Sequence, residues 1–398
     1  MLSAESVIKK GAIPLSQKTI MPDKSIRIMQ LVMALEVGGL EKVVIDLIKG
    51  LQGVHPEWSL AAGFLSHPGP WAEELAGVTR WCGNPRLHKH FLDVRILGSL
   101  VRFLKKEKVD LIHSHNPVPQ RYAFFASLLT GIPMIHTRHG RNYPDNRRAV
   151  FLNRLYAHRA RKIIAVSCDA AQVAQEIERI PAGKVQIIPN GVDTDHFAPP
   201  ADPDIRQRLR QEKGIPKNHF VIGSVGRLSP EKDYPLLIRS FKKFHCRYPE
   251  SLLIIIGDGP DRKRLEECAR EQNITDFTIL PGSQTDILAW LQVFDVFALT
   301  SRTEGTSVSL REACAAGIPG VVSDVGGNRE VIPHQIAGIA IGERTEDNYA
   351  DAFLSLAENP RLKMTYSTAA RKHVLENYSG KANVVQYAKL IKKNTGNE

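Results

Sequence analysis

The chain lacks any apolar run approaching the roughly 18 residues that a membrane span needs. Its first 25 residues, MLSAESVIKKGAIPLSQKTIMPDKS, also lack the apolar stretch of about 7 to 15 residues found in a secretory signal. They read as a disordered leader, with Met21 as an alternative start. Cysteine is scarce and scattered: Cys82, Cys168, Cys246, Cys268 and Cys314 include no C-x-x-C pair. That excludes a disulfide framework and a cysteine-based zinc site, and a reducing cytoplasm fits best. Aromatic residues make up only 7% and no nucleic-acid-reading motif is present, so nucleic acid is not expected as a partner. No G-x-G-x-x-G follows the first apolar strand, which disfavours a nicotinamide dehydrogenase.

What is present is a globular enzyme's composition, 43% hydrophobic and 24% charged over 398 residues, a length that suits two domains. The net charge of +11 is uneven. Residues 1–200 hold 26 Lys and Arg against 17 Asp and Glu, and residues 201–398 hold 27 against 25, so the first half carries +9. A basic half predicts an anionic partner, such as a phosphate-bearing substrate, a membrane surface or, by charge alone, nucleic acid.

Short β-branched runs alternate with segments of helical period, the pattern of parallel βαβ units. In the first half these runs are IRIMQLVMAL, VDLIHSH, IPMIHTRHG, KIIAVS and KVQIIPNGV. The proline-rich HFAPPADPD interrupts the series as a linker. A second series follows: FVIGSVGRL, SLLIIIGDGP, FTILPG, VFALTS and GIPGVVSDVGG. The expected fold is α/β, with two Rossmann-like domains whose parallel sheets face each other across a cleft. The expected division is a leader over 1–25, a first domain over 26–197, a second over 198–378, and a last segment over 379–398.

Within EGTSVSLRE, Glu304 is expected in the loop leaving a strand, and Glu312 along the helix that follows. The first-turn N–H groups of Ser307, Val308 and Ser309 would attract phosphate. The two carboxylates would then flank a diphosphate, one on a sugar's hydroxyls and one on a ribose's. An ordinary surface helix with two unrelated glutamates fits the spacing equally well. Arg227 and Lys232 in GRLSPEK place two cations at a strand's carboxyl end, suited to a diphosphate leaving group or simply to a solvated basic loop. Gly38 and Gly39 permit close backbone approach to a ligand, or form a plain tight turn. Gly257 belongs to a strand-exit turn, GDGP, and His139 ends another strand in TRHG. Asp193-Thr194-Asp195 and the pair His113 and His115 suggest metal, but no further ligand lies at metal-site spacing.

Taken in order, the double glycine, TRHG, IIPNGVDTDHF, GRLSPEKDY, GDGP, LPG and EGTSVSLREACAAGIPGVVSDVGGNREVI resemble the retaining glycosyltransferases of family 4, which have the GT-B fold. The resemblance spans about residues 26 to 395. It implies Glu304 near the transferred sugar, Glu312 on the ribose, and Arg227 with Lys232 on the donor diphosphate. Gly39 would close on the donor from the first domain. Pro281, Gly282 and Ser283 would surround the nucleobase, and His139 would contact the sugar. It further implies no cofactor and no metal, since the cations and the helix amino terminus take the metal's place. The aspartates at 193 and 195 would then be structural, and the last helix would pack back on the first domain. The donor would be a UDP-sugar ahead of a GDP-sugar. Two departures bear on its identity: Gly305-Thr306-Ser307 replaces the family's usual Gly-Phe-Gly, and Gly320 stands where valine is common.

The expected reaction is transfer of a hexose-type sugar with retention, on one face of the sugar. The basic segments 147–162 and 95–108 resemble interfacial helices as much as outer helices with solvated basic faces. They point to a lipid-linked or polyanionic saccharide acceptor and an anionic membrane surface, as in cell-surface polysaccharide, lipopolysaccharide or glycolipid assembly. A sugar-nucleotide epimerase of similar architecture and a basic binding protein are the alternatives.

Overall fold

The computed structural model describes residues 25–36, 39–84, 92–139, 147–202, 204–305 and 307–396. Residues 1–24 of the expected leader, Gly38 and Thr306 lie outside the described residues. The first sheet comprises β1 (Arg27–Val32), β2 (Ser59–Phe64), β3 (Thr79–Cys82), β4 (Leu111–His115), β5 (Met134–Arg138), β6 (Lys162–Ala165) and β7 (Val185–Ile187), in the order β3-β2-β1-β4-β5-β6-β7. The second comprises β8 (Phe220–Val225), β9 (Ser251–Ile256), β10 (Thr278–Gly282), β11 (Val296–Leu299), β12 (Gly320–Ser323) and β13 (Gly338–Ile341), ordered β10-β9-β8-β11-β12-β13. Every pairing is parallel. The strand order reverses between β1 and β4 and again between β8 and β11, so each sheet has a crevice at the carboxyl ends of those strands. This is the expected pair of Rossmann-like units.

Helices cover both faces of each sheet, which is why the strands read as unbroken apolar runs. Ile28 and Val32 of β1 pack into one core layer, Met29 and Leu31 into the other. Three strands, β2, β3 and β13, do not stand out in the sequence. β2 is SLAAGF and β13 is GIAI, rich in small residues of low strand propensity. The small residues are there for packing. A Cβ on Gly63 would come 2.1 Å from Met29 Cε, and one on Gly338 would come 2.4 Å from the Gly320 carbonyl.

The two basic segments flagged in the sequence separate in the structure. Helix Val94–Lys106 turns Ile96, Leu97, Leu100 and Leu104 into the first unit's core, so it is an outer helix with a solvated basic face. Helix Arg147–Arg159 instead leaves Phe151 65% and Leu155 43% exposed, beside exposed Arg147, Arg148 and Arg154.

The chain passes between the units over residues 189–191. Ile188 is in a core of the first unit, while Val192 and Phe197 are in a core of the second. The return passage meets the outward one: Val192 N–H donates to Tyr378 O (2.9 Å) and Gly380 N–H to Val192 O (2.8 Å). Helix Gly380–Thr395 then packs against helix Gly39–Val54, and Val384, Tyr387, Leu390 and Ile391 complete the first unit's core. Ile391→Ala should therefore lower unfolding stability by about 2–5 kcal/mol, read from a denaturant midpoint, although it lies at the far end of the chain.

Candidate active site

The loops leaving the second sheet gather beside the switch point. At the end of β8, Gly226 and Arg227 run against the GDGP turn. Gly257 (φ +138°) has no room for a side chain, since a Cβ would come 2.0 Å from Gly226 O. Gly257 N–H donates to Gly282 O (3.0 Å), tying in the loop of Pro281, Gly282 and Ser283. Gln284 donates to Pro281 O (2.9 Å), so this third loop is held as well. Arg227 is exposed.

Lys232 ends a 3₁₀ turn, Pro230–Lys232, and its Nζ lies 2.5 Å from Glu304 Oε1. Ser301 Oγ donates to the same carboxylate oxygen (2.7 Å). Burial alone would lower the Lys232 ammonium's pKa, but Glu304 beside it raises it overall, so the cation persists. Asp233, next in sequence, is left-handed (φ +50°). Its carboxylate accepts from Arg344 (2.5 Å) and Arg302 (3.1 Å), and Thr300 Oγ1 donates to the Lys232 and Asp233 carbonyls (3.2 and 3.0 Å). The lysine is thus held from both sides.

Glu304 itself is fixed from behind. A Cβ on Gly326 (φ +55°) would come 1.9 Å from Glu304 O, and Gly327 N–H donates to Gly305 O (2.7 Å). Helix Val308–Ala315 starts one residue later than the sequence suggests. Ser307 is its cap, with Oγ accepting from Leu310 N–H (3.3 Å), so Val308 and Ser309 supply the first-turn N–H groups. The Ser309 hydroxyl is committed to Val225 O (2.8 Å). Glu312 is buried, and burial raises its carboxyl to about 7 despite Lys42 and Arg311; Lys42 and Asp46, on helix Gly39–Val54, lie across from it. Arg311 is fully buried against the Tyr378 ring, 5.8 Å away, and burial lowers it to about 10.

The first unit contributes histidines. His139 Nε2 lies 2.8 Å from His115 Nδ1, and His115 Nε2 lies 2.9 Å from Gln30 Oε1. His113 meets Thr137 Oγ1 (2.7 Å), which meets Tyr387 OH (3.2 Å) from the last helix. Burial first, then neighbouring charges, lowers His113 and His139 to about 3, and His115 and His136 well below the ordinary range. All four are neutral at pH 7. Of the histidine pair that suggested metal, His113 Nε2 and both His115 ring nitrogens have hydrogen-bond partners. Asp193 accepts from the N–H groups of Asp195 (3.1 Å) and His196 (3.0 Å), while Asp195 pairs with Lys381 (2.6 Å). Among the described residues no three His, Cys, Asp or Glu gather as a metal site.

One further contact bridges the cleft: Glu330 Oε1 of the second unit accepts from the Cys168 N–H of the first (3.0 Å).

Two family models match this chain in tandem, Glycosyltransferase Family 4 over residues 37–196 and Glycosyl transferases group 1 over residues 205–373. The chain belongs to the group 1 glycosyltransferases of family 4. It is 28% identical over 309 residues to an Escherichia coli UDP-Gal:alpha-D-GlcNAc-diphosphoundecaprenol alpha-1,3-galactosyltransferase, covering 75% of this chain and 78% of that one. It is 29% identical over 220 residues to a GDP-mannose-dependent alpha-(1-6)-phosphatidylinositol monomannoside mannosyltransferase of Mycolicibacterium smegmatis, covering 53% and 57%. Anabaena HepE, solved with UDP and glucose, shares 20% identity with a TM-score of 0.81, over 92% of this chain and 99% of that one. That likeness establishes the GT-B fold.

In this glycosyltransferase the structure brings Arg227, Lys232, Glu304, Gly305, Ser307, Val308 and Ser309 to neighbouring loops at one end of the second sheet. Gly39, which starts its helix, and His139 belong to the facing unit. Sequence reasoning missed Asp233, Arg302, Arg344 and Gly326, because their partners lie tens of residues away. The repeated glycines of DVGGN were the one available signal. Gly326→Ala is expected to cost more than about 1 kcal/mol in a denaturation measurement, since both its φ and the Glu304 carbonyl oppose a side chain.

Proposed function

We propose that this glycosyltransferase moves a hexose-type sugar from a nucleotide-diphosphate donor to an acceptor hydroxyl, with retention at the anomeric carbon. The observation that carries the proposal is the convergence of Arg227, the Lys232–Glu304 pair and the amino terminus of helix Val308–Ala315, with buried Glu312 one helical stretch beyond. Arg227, Lys232 and the Val308 and Ser309 N–H groups would hold the diphosphate. Glu304 would take a hydroxyl of the sugar and Glu312 the ribose. Pro281, Gly282 and Ser283 would surround the base, with Gly257 supporting their loop. Gly38 and Gly39 would approach the phosphates from the other unit, and His139 the sugar. Gly305, Thr306 and Ser307 would line the turn between sugar and phosphate.

In the proposed step the acceptor oxygen bonds to the anomeric carbon on the face from which the diphosphate departs. The carbon–oxygen bond to phosphate breaks, and the departing phosphate oxygen takes the acceptor's proton. Arg227 and Lys232 stabilise the charge that develops on the leaving group. Countercharge from these groups makes the proposed reaction metal-independent. The E. coli relative's UDP-Gal and the mycobacterial relative's GDP-mannose support a UDP-sugar first and a GDP-sugar second. The former's diphosphoundecaprenol substrate supports a lipid-linked acceptor, in polysaccharide, lipopolysaccharide or glycolipid synthesis. Phe151 and Leu155 between arginines favour a peripheral position on an anionic membrane face.

Calorimetric titration with UDP, GDP and their sugars tests the donor site. One nucleotide should bind, and Glu312→Gln should weaken it about tenfold or more, the cost of a charged hydrogen bond. With Glu312 near 7 in the free site, binding that needs its carboxylate should tighten as pH rises, by at most about tenfold per unit below 7, and level off above. A pH-independent affinity, or the same slope in Glu312→Gln, would remove Glu312 from the ribose site. For the membrane, co-flotation with anionic vesicles at low salt is expected, and should be lost on replacing Phe151 and Leu155 with Ser. Absence of flotation by the parent protein would end the membrane reading.

A further inference from the structure

Strand β6 ends at Ala165, and the helix after it, Cys168–Gln172, starts at the carboxyl end of the first sheet. The first turn of a helix has N–H groups with no acceptor inside the helix, and each needs an outside partner. Ser167 Oγ accepts from Ala170 N–H (3.0 Å), within the first unit. The Cys168 N–H donates instead across the cleft, to Glu330 Oε1 of the second unit (3.0 Å), and the Asp169 N–H donates to the same carboxylate. Burial raises the Glu330 carboxyl above its ordinary range; the Cys168 and Asp169 N–H groups oppose that shift and the Asp169 charge adds to it.

Glu330 stands on a segment held firmly in its own unit. Asn328 is fully buried and its Nδ2 donates to Ser323 O (3.2 Å), while Val331 and Ile332 belong to a core of the second unit. His373 Nε2 donates to Glu330 O (2.7 Å). The other end of the same segment fixes Glu304: Gly326 lies against the Glu304 carbonyl, and Gly327 N–H donates to Gly305 O (2.7 Å). Only three residues separate Gly326 from Glu330. The group that reaches the first unit and the backbone that braces Glu304 therefore move together.

We propose that Glu330 is a positioning residue that grips the first unit at Cys168 and Asp169, and so sets the width of the cleft at Glu304 before a donor arrives. The inference rests on the donor-site reading above for what Glu304 meets, but not for the grip. A carboxylate suits the task, because it is acceptor-only and its charge strengthens hydrogen bonds from two neighbouring N–H groups. A nucleotide diphosphate keeps Arg227, Lys232 and the amino terminus of helix Val308–Ala315 in the second unit with or without the grip. The sugar beyond it must fill the space between Glu304 and the first unit, so it depends more on how firmly that space is held.

Amide hydrogen exchange of the full-length, ligand-free protein, read at single residues by mass spectrometry, tests the grip. The Cys168 and Asp169 amides should be protected in the parent protein, and in Glu330→Ala they should exchange about 10 to 100-fold faster, the range of a hydrogen bond to a charged acceptor. The Ala170 and Gly327 amides, bonded within their own units, should keep their rates. Unprotected Cys168 and Asp169 amides in the parent, or no change in the variant, would overturn the proposal. Equal acceleration at all four positions would overturn it too, making Glu330 a general stabiliser of the fold. Glu330→Gln, which keeps the bulk and one acceptor oxygen, should show the same order of effects at smaller size, and it serves if the alanine variant does not fold. In calorimetric titrations Glu330→Ala should weaken binding of the UDP- or GDP-sugar about 3 to 10-fold more than binding of the matching UDP or GDP, the range of one neutral hydrogen bond. Equal weakening of both ligands, or of neither, would refute the link to the sugar. If no nucleotide-sugar binds the parent protein, the donor-site reading fails and the exchange result decides the grip by itself.

Discussion

Both passages between the two units cross at a single point, and the geometry of the cleft depends on it. Val192 exchanges backbone hydrogen bonds with Tyr378 and Gly380, and Gly191 lies so close to Gly380 that a Cβ would come 2.5 Å from its Cα. Asn383 donates to Pro189 O and Arg371 to Ala315 O, so the crossing is tied to the last helix on one side and to the donor-side helix on the other. Tyr378, in the same bridge, also supports Arg311, which immediately precedes Glu312. The position of Glu312 is thereby linked to the crossing by direct packing.

Within the cleft the charges are arranged in compensated groups. Lys232 meets Glu304, Arg302 and Arg344 meet Asp233, and Lys42 of the first unit bears on Glu312. Compensation of this kind keeps cations in a half-buried place before any anion arrives, where an unpaired charge would be costly. It does not consume them. A lysine has three donors, so Lys232 can stay on Glu304 and still address a second oxygen acceptor. The groups are oriented in advance, which is the condition under which fixed charges act most strongly on a developing negative charge.

Much of this was legible in the sequence, for a physical reason. Parallel strands buried on both faces must be apolar, and the loops at their carboxyl ends must carry polar or glycine residues, so βαβ alternation and the Glu304–Glu312 spacing survive as patterns. What escaped lies in packing between distant segments. β2 is hidden because Gly63 makes room for Met29, and Asp233 gains its meaning only from Arg344, 111 residues away. The GDGP turn reads as a strand exit in the sequence, but that its two glycines are required by the backbone of residues 226–228 behind it shows only in the fold. Helices 94–106 and 147–159 have similar composition, and only the sheet decides that the first buries its apolar stripe while the second leaves Phe151 and Leu155 outside.

The excess positive charge of the first half is divided in the same way. Toward the cleft this unit offers four histidines held uncharged by burial, Arg138 compensated by its buried pairing with Glu178, and Lys42, which bears on Glu312. Many of its exposed cations, among them Arg95, Arg102, Lys105, Lys106, Arg147, Arg148 and Arg154, are on outer helices. Lys42 apart, the +9 of the first half therefore does not serve as the countercharge facing the donor loops, a task that falls to Arg227 and Lys232 of the nearly neutral second half. Charges on outer helices act at long range, on whatever anionic body carries the acceptor, and are screened by salt over about 10 Å at 0.1 M. Those in the cleft are sheltered and paired. Raising ionic strength should thus weaken capture of an anionic acceptor assembly far more than it weakens nucleotide binding, a difference separable by measuring both affinities across a salt series.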